Sequence, residues 1–588
     1  MDDLLVRPSP RPVEAPGQQC ELPSGRPTGR GPGGGRWSRW TGPARGAWER
    51  LSAWEHFDVA LLVALVVLAL GLRWRTMWTS YWGDEAIAIG IAAHPVGALP
   101  HYLANDGSPP LFYLMLHFWM ELFGRSGPAT HALSMVAGLL AIPAAWWSGD
   151  RLFGRRAARG AAALVAVCAY LDYYSTETRM YSWLVLAAIL AISCFLLAYR
   201  GAGTAYWVAA TVLMAAVLYL QYYGLYLLAA TVIVGSVAAV RSRSPARLKA
   251  TLLYGLACAV AFAPWAPQFL YQLYNTGAPW APHPSFLDFF GDSFNALASA
   301  AWAAVLAAAA LAVLGPRRAG IVSTGRTVLA GRTVSSGRTV SAGRTVSAPT
   351  LLVLSTFIPL LTLLLAWWVG QFVNSWNPRY LGIAAVPALI PLAAALTRVR
   401  WGSVALYGTV AALAFTSIPV VVDRSVTVDT SKSDAAYLLN KLRPILRPGA
   451  LVISTEVTDL PVLALDLGSG FRYATPFGLL KDPLVVDWSG LSRRLKDSSA
   501  ASDLAPLLSA LPVGGQVLVV NPTTWDRGET PEAYAGPVEA EAIAANQVIL
   551  DDPQLRAEVN EGVPRYSRPM YPMRASLFVK SGAPGAAG

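Results

Sequence analysis

Pro110-Leu111-Phe112-Tyr113-Leu114-Met115-Leu116-His117-Phe118-Trp119-Met120-Glu121-Leu122-Phe123 is apolar enough for a membrane and too short to cross one comfortably. At about 1.5 Å per residue, an α-helix over it reaches about 21 Å, against about 30 Å of hydrocarbon. Whether it counts as a span sets the sidedness of every later loop. Counted, it would put Arg151, Arg155, Arg156 and Arg159 outside, and the acidic, aromatic 172–181 loop inside. Left out, as an interfacial or re-entrant helix, it makes every alternate loop basic: Arg151–Arg159, Arg200, Arg241–Lys249, Arg317–Arg344 and Arg398–Arg400. Orientation follows Lys and Arg in short loops, which favours the second reading. Arg73 and Arg75, at the outer end of the first span, are the exception.

Around this run, apolar stretches recur at Val59–Leu72 and at 128–149, 160–174, 181–199, 204–220, 222–240, 251–270, 296–314, 350–369, 380–397 and 402–421. They make about eleven spans, each helical because only a helix satisfies its own backbone within lipid. The expected architecture is mainly α: a polytopic membrane helix bundle with an interfacial helix in the first outer loop. A cytoplasmic N-terminus leaves the residues after 421 outside. That stretch turns polar and mixed, with strand-like runs at Leu451–Ser454 and Gln516–Val520 and a helical stretch at Asp434–Leu446. It predicts a C-terminal extracytoplasmic α/β domain. The divisions are thus 1–54, a basic cytoplasmic tail; 55–421, the membrane domain; 315–349, a cytoplasmic low-complexity linker within it; and 422–588, the outer domain.

Composition agrees. Hydrophobic residues make up 54% of the 588 and charged residues only 14%, where a soluble chain carries about 25% charged. The formal net charge of +11 comes from arginines lying between apolar runs, so it marks sidedness and excludes nucleic acid as a partner. Cys20 lies in the polar tail and Cys168, Cys194 and Cys258 in apolar runs; none has metal-ligand spacing. The Gly/Pro/Arg-rich tail before the first apolar run is no signal peptide and should be disordered. Units beginning Gly-Arg-Thr-Val at Gly325, Gly331, Gly337 and Gly343 have too few apolar positions for a β-helix and read as a flexible linker. High Ala, Gly, Arg and Pro content points to a GC-rich bacterial genome, hence a multi-pass protein of the cell (plasma) membrane.

The middles of the spans hold almost no ionisable residues, where ion- or proton-coupled transporters place them. Candidate acids sit on the outer side instead. The first outer loop reads Tyr81-Trp82-Gly83-Asp84-Glu85-Ala86, then Asn105-Asp106-Gly107-Ser108-Pro109-Pro110-Leu111-Phe112-Tyr113. Adjacent carboxylates at a membrane face call for a cation, a metal or a raised pKa, and one could serve as general base. They could equally be solvated acids capping the next helix. The second loop runs Asp172-Tyr173-Tyr174-Ser175-Thr176-Glu177-Thr178-Arg179-Met180-Tyr181. Arg179 suits a phosphate, though Glu177 with Arg179 could be a plain ion pair and the tyrosines an interfacial belt. The third, Asn374-Ser375-Trp376-Asn377-Pro378-Arg379-Tyr380, sets Arg379 to meet a lipid phosphate or to anchor the interface. The aromatic loop Tyr271–Asp292, with His283, Asp288 and Asp292, could cover the site; His283 has no visible metal partners.

Together these motifs resemble the GT-C class of integral-membrane glycosyltransferases. The likeness is to the family 39-like group: protein O-mannosyltransferases, lipid A aminoarabinose transferases and RgtA/B/C/D-like enzymes. Asp84-Glu85, the Asp-x-x-Pro-Pro-Leu-x-Tyr segment from Asp106 to Tyr113, Glu177-x-Arg179-x-Tyr181 and Arg379-Tyr380 carry it, over about residues 55–420. Ser108 departs from the His that many relatives have before the Pro-Pro pair, which puts a donor contact in doubt. The C-terminal domain is similar to those of actinobacterial proteins classed as mannosyltransferases and carries no recognised catalytic motif.

The resemblance implies a polyprenyl-monophosphate sugar donor, with mannose as the expected subtype, and an outer acceptor that is a glycan, lipid or protein. Asp84, with Glu85 as runner-up, would deprotonate the acceptor hydroxyl, and a single displacement would invert the anomeric carbon. Asp106, Glu177, Arg179, Tyr181, Arg379 and Tyr380 would hold the donor and its phosphate. No cofactor is demanded, though Asp84 and Glu85 leave room for a divalent metal. The competing readings are a transporter or flippase for lipid-linked sugars, which should tolerate Asn at position 84, and a binding protein whose working part is the outer domain.

Overall fold

The computed structural model describes residues 56–298, 302–316, 346–422, 432–522, 532–561 and 573–582. The 1–54 tail with Cys20 and most of the repeat linker (317–345) lie outside the described residues. Six described helices are long and apolar enough to cross a membrane: His56–Trp78, Gly127–Phe153, Tyr181–Arg200, Gly224–Arg241, Pro245–Asn275 and Ala348–Gly370. The helices Thr204–Leu220, Trp302–Leu314 and Gly402–Val422 are apolar as expected.

Two expected spans are broken rather than continuous. The stretch at 160–174 is a helix Arg155–Ala166 and a short helix Ala169–Tyr174, parted at Val167 and Cys168. The break frees the Ala166 carbonyl, and the Arg73 guanidinium donates to it at 3.1 Å. Arg73 also meets Asp172 at 3.0 Å and is fully buried. This resolves the topological exception: Arg73 is no loop cation but an internal cap, outside the scope of a rule about loops. At the other end of the same helix, Asp58 pairs with Arg159 at 2.7 Å, so the basic turn before 160 and the loop after 172 lie at opposite ends of the bundle. The stretch at 380–397 is the pair Pro378–Ala385 and Leu389–Leu396, bent by 43°. Pro387 sits at the bend and removes a backbone donor there.

The deciding run forms a helix over Leu111–Phe123 with both ends on one face of the bundle. Tyr113 near its start bonds Asp106 in the first outer loop. Near its end the Trp119 indole donates to the Ala129 carbonyl at 2.7 Å, and the Arg125 carbonyl accepts from Tyr81, of that same loop. A helix tethered at both ends to one loop does not cross. The first outer loop also holds the helices Gly83–Ala92 and Leu99–Asp106, folded back on each other; from Val96 onward the second limb turns by 117°.

The C-terminal region is a six-stranded mixed sheet of order β3-β2-β1-β4-β6-β5, with β1 Leu451–Ser454, β2 Arg472–Thr475, β3 Gly478–Leu479, β4 Gln516–Pro522, β5 Leu555–Glu561 and β6 Met573–Lys580. β1 is parallel to β2 and β4, its Val452 opposite Tyr473 and Leu518. Such strands must be apolar on both faces, which is why Leu-Val-Ile and Val-Leu-Val-Val read as continuous runs. Val452, Leu518 and Val520 pack on the helices Ala435–Leu442 and Leu460–Leu467. Leu451, Ile453, Val517 and Val519 pack on the helices Ala500–Ser509 and Glu532–Leu550 on the other face.

This domain is docked on the first outer loop. The Ser433 hydroxyl donates to the Tyr81 carbonyl at 2.6 Å, the Trp488 amide to the Asn105 carbonyl at 2.9 Å, and Asp482 meets His94 at 2.8 Å. Backbones approach closely at Gly90, where an added Cβ would fall 2.1 Å from the Leu484 carbonyl oxygen. Gly90→Ala is expected to cost about 1–3 kcal/mol by forcing that approach apart. Thermal unfolding and faster amide exchange at 484–490 check it; unchanged exchange there would mean that the contact does not hold the domain.

Candidate active site at one end of the bundle

Asp84 opens the helix Gly83–Ala92, and its carboxylate oxygen Oδ2 pairs with Arg379 and lies 4.0 Å from Arg179. Its side chain is 20% exposed, enough to be reached by a ligand. Arg379 is held by Asn377, whose Oδ1 accepts from both its amide and its Nε at 3.0 Å. Its guanidinium lies between the rings of Trp82 and Trp280, at 5.3 and 4.8 Å, so the 271–292 loop does reach the site. Aromatic faces attract such a cation and fix its plane.

Arg179 donates to the Asp84 carbonyl at 3.3 Å and to the Tyr113 hydroxyl at 3.4 Å; Tyr113 in turn donates to Asp106 at 2.8 Å. Ser108 hydrogen-bonds Asp106, so this position braces the acid. The Tyr181 ring lies 6.1 Å from that of Tyr380, and its buried hydroxyl has no hydrogen-bond partner. Glu177 accepts from the Trp82 indole at 2.6 Å and leaves its second oxygen unpaired. Burial pushes the Glu177 carboxyl up, against the pull of Lys432.

Glu85 faces the other way. It is fully buried, and Oε1 accepts from the Thr178 amide at 2.7 Å and Lys432 Nζ at 2.8 Å and lies 2.9 Å from His131 Nε2. Its partners saturate it, so the adjacent acids are divided: Asp84 is set towards two arginines and open space, Glu85 towards a buried lysine. Among the described residues, no three His, Cys, Asp or Glu side chains converge as a metal-ligand set.

The eight residues expected to form the site fall into one cluster: Asp84, Glu85, Asp106, Glu177, Arg179, Tyr181, Arg379 and Tyr380. The sequence left out Trp82, Trp280, His131 and Lys432. His131 lies within an apolar helix and Lys432 opens a different domain, and no local spacing ties either to Glu85. Only Trp82 had a signal, its place beside Asp84.

The bundle, the folded-back outer helices and the sheet domain can now be set beside known proteins. ArnT from Cupriavidus metallidurans superposes in its apo state with a TM-score of 0.51 at 14% identity, over 90% of this chain and 98% of that one. The chain has the GT-C fold. ArnT bound to undecaprenyl phosphate matches equally, at 0.51 and 14%, over 89% and 98%. An oligosaccharyltransferase from Archaeoglobus fulgidus matches at 0.41 and 14%, over 87% and 73%. Residues 107–271 match the family model of dolichyl-phosphate-mannose-protein mannosyltransferases. No curated protein matches the chain. In this GT-C chain, the segment matched by the family model begins directly after Asp106 and includes Glu177, Arg179 and Tyr181.

Proposed function

We propose that the chain is a membrane glycosyltransferase that moves a sugar, mannose, from a polyprenyl-monophosphate donor to an outer acceptor hydroxyl. The observation that carries this is a partly exposed carboxylate, Asp84, flanked by two guanidinium groups at one end of an apolar bundle. The GT-C fold, the mannosyltransferase family match and the lipid-phosphate-bound ArnT neighbour support it.

In the resting site Arg379 holds Asp84. An arriving donor phosphate competes for Arg379 and Arg179, which releases Asp84 to accept the acceptor proton. The acceptor oxygen then bonds to the anomeric carbon from the face opposite the phosphate. The carbon–oxygen bond to phosphate breaks, its electron pair leaves with the polyprenyl phosphate, and the configuration inverts. Both arginines stabilise the charge that grows on the leaving oxygen, often the largest catalytic term. Asp106 and Tyr113 aim Arg179, and Trp82, Trp280 and Asn377 aim Arg379. No step needs a metal in this reading.

Arg379→Lys tests it, because Lys keeps the charge and loses the planar fork stacked between two tryptophans. Binding of undecaprenyl phosphate to the purified protein is expected to weaken by about tenfold, near 1.4 kcal/mol, and Arg379→Ala to weaken it further. Unchanged binding in both variants would remove Arg379 from the donor site.

A further inference from the structure

The turn that carries Asp106 is gripped by a side chain from a distant helix. The helix Ala266–Asn275 ends beside this turn, and its Gln272 is buried there. Gln272 Nε2 donates to the Leu103 carbonyl at 2.7 Å and to the Ser108 carbonyl at 3.2 Å. Those carbonyls bracket Asp106, three residues before it and two after. Gln272 Oε1 accepts from the Tyr222 hydroxyl, which itself accepts from the Trp265 indole at 2.9 Å. Backbone carbonyls can only accept, so the amide has one orientation, and both its donors are used.

The turn has a reason to need this grip. The helix Leu99–Asp106 stops at Gly107, whose φ of +86° is left-handed, and Pro109 and Pro110 follow without amide hydrogens. A carbonyl buried in such a turn is costly unless a donor reaches it. Packing adds to the hydrogen bonds. A Cβ on Gly107 would fall 2.9 Å from Thr276 Oγ1, and the Thr276 hydroxyl donates back to the Gln272 carbonyl at 2.8 Å.

From this turn a relay runs to the catalytic cluster. Asp106 accepts from Tyr113 at 2.8 Å, and Tyr113 accepts from Arg179 at 3.4 Å. Eight residues beyond Gln272, Trp280 supplies the ring that lies 4.8 Å from the Arg379 guanidinium. Gln272 thus holds the turn that braces one arginine and stands at the root of the loop that supports the other.

We infer that Gln272 is a positioning residue for the donor site: by fixing the Leu103–Ser108 turn it sets Asp106, and through Asp106 and Tyr113 the guanidinium of Arg179. The inference rests on the reading of Arg179 as a ligand of the donor phosphate. Gln272 itself touches neither sugar nor phosphate.

The test uses the full chain in lipid nanodiscs. Gln272→Met keeps the length of the side chain and removes both donors. Binding of undecaprenyl phosphate is expected to weaken about tenfold. In membranes holding the native acceptor, the donor KM for polyprenyl-phosphate-mannose should rise by a similar factor. A merely structural loss would lower the amount of active protein, hence the maximal rate, and leave that KM where it is. Tyr113→Phe cuts the relay beyond Gln272, so the double variant should bind no more weakly than the weaker of the two single variants. If Gln272→Met does not fold, Tyr222→Phe carries the same cycle; it removes one hydroxyl, leaves the amide unanchored and should weaken binding about threefold. Wild-type binding by folded Gln272→Met, or losses that multiply in the double variant, overturns the inference. Undiminished binding by Arg179→Lys would instead sink the donor-phosphate reading on which it stands.

Discussion

Asp84→Asn is expected to slow sugar transfer from polyprenyl-phosphate-mannose by about 10²–10⁴-fold, the usual contribution of a positioned base. Asn preserves size and keeps an oxygen for Arg379, so the loss cannot come from a collapsed site. It removes the charge that competes with the donor phosphate for Arg379. Donor binding should accordingly hold or tighten while turnover falls. Single-turnover rates and lipid-phosphate affinity, measured on the same preparation, separate the two effects. Full transfer by the variant would take Asp84 out of the mechanism. Lipid-linked sugar movement without transfer, unaffected by the substitution, would favour the flippase reading. Asp84→Glu should recover part of the rate, because it restores the base one methylene out of place.

The grouping of the loops was legible because charge and apolarity report on it directly. The basic turn before 160 and the acidic, aromatic loop after 172 do lie at opposite ends of the bundle, and the short 110–123 run stands apart by its length. What failed was continuity. The sequence shows Val167 and Cys168 as unremarkable apolar residues, and the break there is decided by Arg73, which caps a carbonyl 93 positions away. Pro387 was visible and should have warned of the bend at 386–388. The site was legible in a similar, partial way. Motif residues at the ends of separate spans were found one loop at a time, since each loop displays its own charge against an apolar background. Their neighbours Trp280, His131 and Lys432 lie in an aromatic loop, an apolar helix and the outer domain. Only the fold brings these to Asp84 and Glu85.

Lys432 carries the second large effect. It is the first described residue of the outer domain, and its ammonium is buried between Glu85 Oε1 at 2.8 Å and the Thr176 carbonyl at 2.9 Å. Removing one partner of a buried pair leaves the other charge unmatched, at about 3–5 kcal/mol. Lys432→Met should therefore lower thermal stability sharply and slow transfer by about 10²-fold, since Glu85 shares a helical turn with Asp84 and small misplacements are expensive in catalysis. Glu85→Gln should be damaging for the mirror reason, a buried lysine with a neutral partner. The double variant Glu85→Gln with Lys432→Met removes both charges, and its stability and rate should exceed what the two single losses predict by addition. Melting curves and transfer rates on the four proteins give the coupling. Strict additivity would show that Lys432 and Glu85 act independently and that the outer domain merely rests on the membrane part. A positive coupling makes Lys432 a positioning residue, and with it the outer domain becomes part of the catalytic centre.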